Sequence, residues 1–247
     1  MKRISIIGTG YVGLVSGAGI ADFGHQVTCV DILEEKIEKL KDGKIPIYEP
    51  GLKELIKRNV QSGRLKFSTK ISKAIKNSEV IFIAVGTPEG KNGNADLSAI
   101  FSVAQTISEN INGYKIICTK STVPIGTGEK IFKQVSKQTN KPFGYCSNPE
   151  FLREGSAVKD FLWPDRVVLG ASQKTDFEIM EDVYRPLYIN ETPIIHTSIE
   201  TAEMIKYASN AFLAMKISYI NEIANLCEEV NADVHSVARA MGLDGRI

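Results

Sequence analysis

Short β-branched runs punctuate the chain: RISIIG at 3–8, QVTCVD at 26–31, EVIFIAVG at 79–86, YKIICTK at 114–120 and DRVVLG at 165–170, with a further strand expected at 143–147. Between them lie longer amphipathic stretches such as LEEKIEKLKDG and DLSAIFSVAQTISENI. Alternation of the two periodicities predicts an α/β chain, a Rossmann-type doubly wound parallel sheet with helices on both faces. Near residue 197 the rhythm changes. TSIE reads as a capping box, with Thr197 as N-cap and Glu200 at N3, opening a helix that nothing interrupts until about Asn231. Such a helix is a rod of roughly 45 to 50 Å. Its segment ASNAFLAMKISYINEIANL is too apolar for a free surface, so a homodimer interface through 198–230 is expected. ADVHSVARAMG then reads as a short helix closed by Gly242 at C′. The expected organisation is an NAD-binding Rossmann-like domain at 1–197, followed at 198–247 by a long central helix and the start of a dimerisation region.

Composition narrows the function classes. A hydrophobic share of 43% is enough to build a core, and 30 Lys plus Arg against 29 Asp plus Glu leaves no global field to attract nucleic acid or an anionic membrane. The four cysteines and three histidines are scattered without ligand spacing, which argues against a metal site or a disulfide framework and for a reducing, cytoplasmic setting. Residues 4–21 carry no charge and mimic a signal peptide, but the glycines at 8, 10, 13, 17 and 19 break the continuous apolar run that such a segment needs. No other stretch is long and apolar enough to span a membrane.

The chemistry begins with GTGYVG. Gly8, Gly10 and Gly13 follow a predicted strand and open a predicted helix, where they suit a tight turn, close approach to a pyrophosphate and helix-to-strand packing. A glycine-rich turn without a ligand is the plainer alternative. The second strand favours the dinucleotide, because it ends in Asp31, placed to accept hydrogen bonds from the ribose hydroxyls and to repel a 2′-phosphate. NAD rather than NADP is therefore expected. Lys36 stands either at the adenosine end or as a solvated helix lysine.

Three segments then follow predicted strands, at the edge where ligands of such sheets bind: GTPEG, STVPIGT and SNPEFLREG. Thr122 belongs to the site or caps the helix after Pro124. Glu150 and Glu154 stand at i and i+4. On a helical turn they would share a face suited to acid-base work, the alternative being a surface turn with an internal Glu150 to Arg153 pair. Lys206 and Asn210, also i and i+4, are solvated helix polarity or else an oxyanion stabiliser and its hydroxyl-holding partner.

IGTGYVGLVSG, VDILEEKIEKLKDGKIPIYEPGL, AVGTP, KSTVPIGTG, SNPEFLREGSAVKDFLWPDRVVLG and TAEMIKYASNAFLAMKISYINEIANLCE together resemble the UDP-glucose 6-dehydrogenase family, within the wider UDP-glucose/GDP-mannose dehydrogenase group. The resemblance implies a four-electron oxidation of UDP-glucose to UDP-glucuronate, with two NAD molecules used in turn and a thioester formed on a cysteine. It implies NAD contacts from Gly8, Gly10, Val12, Gly13, Asp31, Lys36, Thr87, Thr122 and Glu154. Thr122 and Glu154 would hold a water, Glu150 would serve thioester hydrolysis, and Lys206 with Asn210 would stabilise the oxyanion. Glu150, Phe151, Leu152, Arg153, Glu154, Lys206 and Asn210 would line the substrate.

In that family a glycine-rich loop with the nucleophilic cysteine and a second, UDP-binding domain follow the stretch that MGLDGRI resembles. Neither occurs in these 247 residues, and Cys29, Cys118, Cys146 and Cys227 match no such motif, so the chain is expected to be an N-terminal portion that is inactive alone. The competing readings are a two-electron β-hydroxyacid dehydrogenase and a non-catalytic dinucleotide-binding module. In a fluorescence titration, NADH is expected to bind on the order of tenfold or more tighter than NADPH. Tighter NADPH binding would remove the role given to Asp31.

Overall fold

The computed structural model describes residues 1–246, with only the backbone of Asn92; Ile247, the last residue of the expected 198–247 segment, lies outside the described residues. The strands are β1 (Arg3–Ile7), β2 (Gln26–Val30), β3 (Leu65–Ser68), β4 (Val80–Ile83), β5 (Ile116–Thr119), β6 (Gly144–Ser147), β7 (Val167–Ala171) and β8 (Ile194–Thr197). The helices are α1 (Tyr11–Asp22), α2 (Glu34–Lys41), α3 (Leu52–Gln61), α4 (Ile71–Asn77), α5 (Ser98–Asn110), α6 (Thr127–Gln138), α7 (Ala157–Leu162), α8 (Lys174–Tyr184), α9 (Ile199–Val230) and α10 (Val234–Met241). The chain forms two compact units, Met1–Met204 and Ile205–Ile247, divided within α9.

All eight strands of the first unit lie in one sheet, ordered β3-β2-β1-β4-β5-β6-β7-β8. Every neighbouring pair is parallel except β6 and β7, which run antiparallel. The doubly wound expectation therefore holds, with one reversed junction that the strand sequences do not signal. Successive residues on the central strands serve opposite layers. Ile6, Phe82 and Cys118 pack with Leu14, Ile56 and Phe161 on one face. Ile7, Ile81 and Ile117 pack with Ile100, Ile107 and Ile131 on the other. β4, β5 and β6 are buried throughout, and each large aliphatic or aromatic side chain so covered contributes roughly 1.5–3 kcal/mol.

The long helix starts slightly later than the capping box predicts. Thr197 closes β8, and the Ser198 hydroxyl accepts the Thr201 N–H at 3.2 Å, which makes Ser198 the cap. α9 runs for 32 residues, about 48 Å, and ends before Asn231, whose φ of 55° leaves the helical region. α10 is capped by Asp233, which accepts the N–H groups of His235 and Ser236. Gly242 has φ −69°, so α10 ends without the left-handed glycine expected there.

One polar cluster crosses the core of the first unit. The buried Lys120 ammonium donates to Asn148 Oδ1 at 3.1 Å and to the Tyr184 hydroxyl at 3.3 Å. Tyr184 donates to the same Oδ1, and Asn148 Nδ2 donates to the Val168 carbonyl at 2.9 Å, tying the end of β6 to β7. By contrast, the Ser5 hydroxyl on β1 is buried with no hydrogen-bond partner. In urea unfolding, Asn148→Ala is expected to cost about 2–4 kcal/mol, because it strips partners from a buried cation, a hydroxyl and a carbonyl. Ser5→Ala should be neutral within about 0.5 kcal/mol or stabilising. Equal midpoints for the two variants would show that the cluster adds nothing to stability.

Candidate active site

The sheet winds outward in both directions from β1 and β4, so the crevice beyond their carboxyl ends is where the topology places a ligand. Gly8 sits there with φ 102°, and a Cβ on it would stand 2.5 Å from the Ala84 carbonyl oxygen. A Cβ on Gly13 would stand 1.9 Å from the carbonyl oxygen of Gly8, so α1 can begin where it does only with glycine at both places. Gly10 differs: a Cβ there would meet nothing within 4 Å, so its surface faces open space. It is the N-cap of α1, brings no side-chain acceptor to the first turn, and has no acidic residue after it. The first-turn N–H groups, Val12 among them, thus face a position suited to an anion.

Asp31 lies at the end of β2 beside this turn. Its Oδ2 accepts the Thr9 N–H at 3.0 Å and the Thr9 hydroxyl at 2.6 Å, and its Oδ1 accepts the Leu33 N–H at 3.2 Å. Burial alone would raise the pKa of this carboxyl; the Thr9 and Leu33 bonds outweigh it and hold the pKa below the usual carboxylate value. Lys36 reaches back to Asp31 Oδ2 at 3.2 Å, so it is neither a free solvated lysine nor remote from the turn. The glycine cradle, the open first turn of α1 and the anionic Asp31 fit a dinucleotide: the turn would hold the pyrophosphate and Asp31 the ribose.

The loops after β4 and β5 are stitched together. The Thr87 hydroxyl donates to the Thr122 carbonyl at 3.0 Å, and Ser121 Oγ donates to the Val85 carbonyl at 2.7 Å. Thr122 does not cap α6. That helix begins after Gly126, and its leading N–H groups, from Gly126 and Gly128, go to the Glu203 carboxylate at 2.6 and 2.7 Å. Burial, countered by these two N–H groups, raises the pKa of Glu203.

The segment after β6 departs from the expected geometry. Residues 148–153 are irregular and 154–156 form a turn before α7, so Glu150 and Glu154 do not share a helical face. Pro149 explains the start, since it disfavours helical backbone at Asn148. Glu150 Oε2 accepts the Leu152 N–H at 2.6 Å. Arg153 makes a forked pair with Asp160, at 3.0 and 2.6 Å, rather than the pair with Glu150 that spacing suggests. The Arg166 guanidinium stacks 3.8 Å from the Phe151 ring centroid, Leu152 packs against the core, and Glu154 is exposed.

Sequence reasoning missed Glu49 here. Only 5% exposed, it accepts the N–H groups of Gly155 and Ala157, both at 2.8 Å, and the hydroxyl of Tyr11. The available signal was an acid between Tyr48 and Pro50, in a loop otherwise read as a connection. Lys206 and Asn210 fall in the second unit, four residues apart on α9 and hence on one side of it. All four cysteines are buried; burial pushes the Cys29 thiol up to about 12 and raises Cys118 as well, which removes thiolate character from both. Among the described residues no helix is long and apolar enough to cross a membrane.

Known proteins share this arrangement. Residues 2–188 match the NAD binding domain of the UDP-glucose/GDP-mannose dehydrogenase family, and 200–247 match the family's central domain. The chain is 54% identical to a UDP-glucose 6-dehydrogenase of Rhizobium meliloti over 99% of its own length and 57% of that protein. It is 52% identical to the UDP-glucose 6-dehydrogenase TuaD of Bacillus subtilis, over 100% of this chain and 53% of that protein. A UDP-glucose dehydrogenase from the archaeon Pyrobaculum islandicum superimposes with a TM-score of 0.96 at 40% identity, covering 100% of this chain and 58% of the other. The chain therefore spans little more than half the length of these relatives. Its cofactor is NAD, in keeping with the matched domain and with the Gly8–Asp31 cradle. With both domain matches running nearly end to end, the chain belongs to the UDP-glucose/GDP-mannose dehydrogenase family.

Proposed function

We propose that this chain supplies the NAD-binding and water-handling part of a UDP-glucose 6-dehydrogenase, which carries the C6 alcohol of the sugar to a carboxylate through a cysteine thioester. The observation that carries this reading is the Glu150–Glu154 segment at the carboxyl end of β6, on the same edge of the sheet as the glycine turn and the Thr87–Thr122 link. Simple alcohol oxidation has no use for a hydrolytic water, and two carboxylates in this loop suit its activation. Bound NAD would supply the hydride acceptor.

In this reading the chain's residues divide the work. Gly8, Gly10, Val12 and Gly13 seat the pyrophosphate, Asp31 and Lys36 hold the adenosine ribose, and Thr87 reaches the cofactor from the loop after β4. Thr122 and Glu154 hold the water. Glu150 takes its proton as it attacks the thioester, Lys206 stabilises the oxyanion with Asn210, and Phe151, Leu152 and Arg153 line the sugar nucleotide. With all four cysteines buried, the thiol is expected from elsewhere in the protein. Exposed Phe212, Leu213, Met215, Ile217 and Tyr219 support a homodimer through 198–230, and the scattered free cysteines support a cytoplasmic setting.

With the full-length protein, two NADH per UDP-glucose consumed are expected, with a carboxylate product. One NADH and a carbonyl product would instead fit a two-electron dehydrogenase. Glu150→Gln should keep the first hydride transfers but slow turnover on the order of a hundredfold, with a covalent sugar adduct visible by intact-mass spectrometry. Loss of turnover with no adduct would remove Glu150 from the hydrolytic step.

A further inference from the structure

Glu49 is held from behind as firmly as it holds what lies in front. Its carbonyl accepts the Leu52 N–H at 3.1 Å, so its backbone is part of the turn that starts α3, and Leu52 is fully buried. Gly51, beside it, has φ 79° and lies against Val158 of α7, where a Cβ would be 3.8 Å from the valine. The side chain therefore projects from a rigid shelf into the turn at 154–157. There it takes the N–H groups of Gly155 and Ala157, capping α7 from a segment more than a hundred residues away.

The remaining bond goes to Tyr11, the first residue of α1 inside the glycine fingerprint. The Tyr11 hydroxyl also lies 3.4 Å from the Arg153 carbonyl oxygen. One tyrosine thus spans the dinucleotide turn, the Glu49 shelf and the loop between Glu150 and Gly155. Burial would raise the pKa of the Glu49 carboxyl, but the Tyr11 hydroxyl and the backbone N–H groups overcome it and hold the pKa below the usual glutamate value. The same contact and burial push the Tyr11 phenol up, so its proton stays in place to donate. A charged acceptor with a hydroxyl and several amides converging on it is a stiff joint.

We propose that Glu49 is a positioning residue that, with Tyr11, fixes the loop carrying Glu150 and Glu154 in register with the dinucleotide turn. A dinucleotide seated on the first turn of α1 restrains Tyr11, and the restraint passes through Glu49 to the amides of Gly155 and Ala157. The inference rests on the assignment of this loop to the reacting side of the site.

Hydrogen exchange across residues 153–158, with and without NADH, tests the link apart from turnover. In the native protein NADH should slow exchange there by about fivefold or more. Glu49→Gln, which turns one acceptor oxygen into an N–H donor facing backbone N–H groups, should speed unliganded exchange about tenfold or more. Tyr11→Phe leaves the amide bonds from Gly155 and Ala157 to Glu49 intact. It should keep the NADH dissociation constant within about threefold while abolishing the NADH-linked slowing. A role confined to capping α7 predicts that Tyr11→Phe retains that slowing, and this result would overturn the proposal. If Glu49→Gln fails to fold, Tyr11→Phe decides alone. In turnover of the full-length protein, Tyr11→Phe should lower kcat about tenfold with the KM for NAD nearly unchanged. Failure of the protein to oxidise UDP-glucose would sink the assigned reaction yet leave the exchange result standing, so the two are separable.

Discussion

Everything at this site depends on a contact that tolerates no side chain. The start of α1 rests against the carbonyl of Gly8, and Gly8 rests against the backbone of Ala84, at separations where an added Cβ would come within 1.9 and 2.5 Å of a carbonyl oxygen. Backbone cannot yield as a flexible side chain can. This closeness draws the turn after β1 tightly onto the end of β4 and aims the first turn of α1 across the crevice. It also brings Thr9 within reach of Asp31 and the Tyr11 hydroxyl within reach of Glu49.

From that point outward, carboxylates rather than ion pairs organise the loops. Asp31 collects Thr9 and Leu33, Glu49 collects Gly155 and Ala157, and Glu203 collects Gly126 and Gly128. Each takes backbone N–H groups from a turn or helix start, which are directional and obligatory donors, so each fixes a main-chain position. The balance differs between the two buried glutamates. At Glu49 the donors outweigh desolvation, so its share of stability is lost as pH falls through its lowered pKa; at Glu203 desolvation wins and the pKa is raised. Glu203 therefore stabilises less as pH rises from the ordinary glutamate value through its raised pKa, because burial penalises the charged form.

The sheet was largely legible because β1, β2, β4 and β5 are β-branched runs bounded by glycine or charge. β3 (LKFS) and β8 (IIHT) escaped notice because four residues with mixed polarity carry almost no periodic signal. The reversal at β7 was illegible for another reason: VVLGA packs equally well in either direction, and only its pairing with Cys146 and Ser147 decides. The dinucleotide turn could be read because its requirements are local. The glutamate loop could not, since spacing alone suggests a helical turn, whereas Pro149 and the distant Glu49 set the backbone. Arg153 finds its carboxylate in Asp160, seven residues on, a choice made only once α7 has formed.

The framework is thus separable from the groups assigned to chemistry. Asn148 fixes the end of β6 and Glu49 holds the far side of the loop, so the stretch from Pro149 to Glu154 is suspended between two buried anchors. Within it, Phe151 is held by Arg166 and Arg153 by Asp160, each through its own side chain. A loop clamped at both ends by main-chain bonds keeps its shape through these anchors together with the Glu150 Oε2 bond to the Leu152 N–H, while Glu154 stays exposed to solvent.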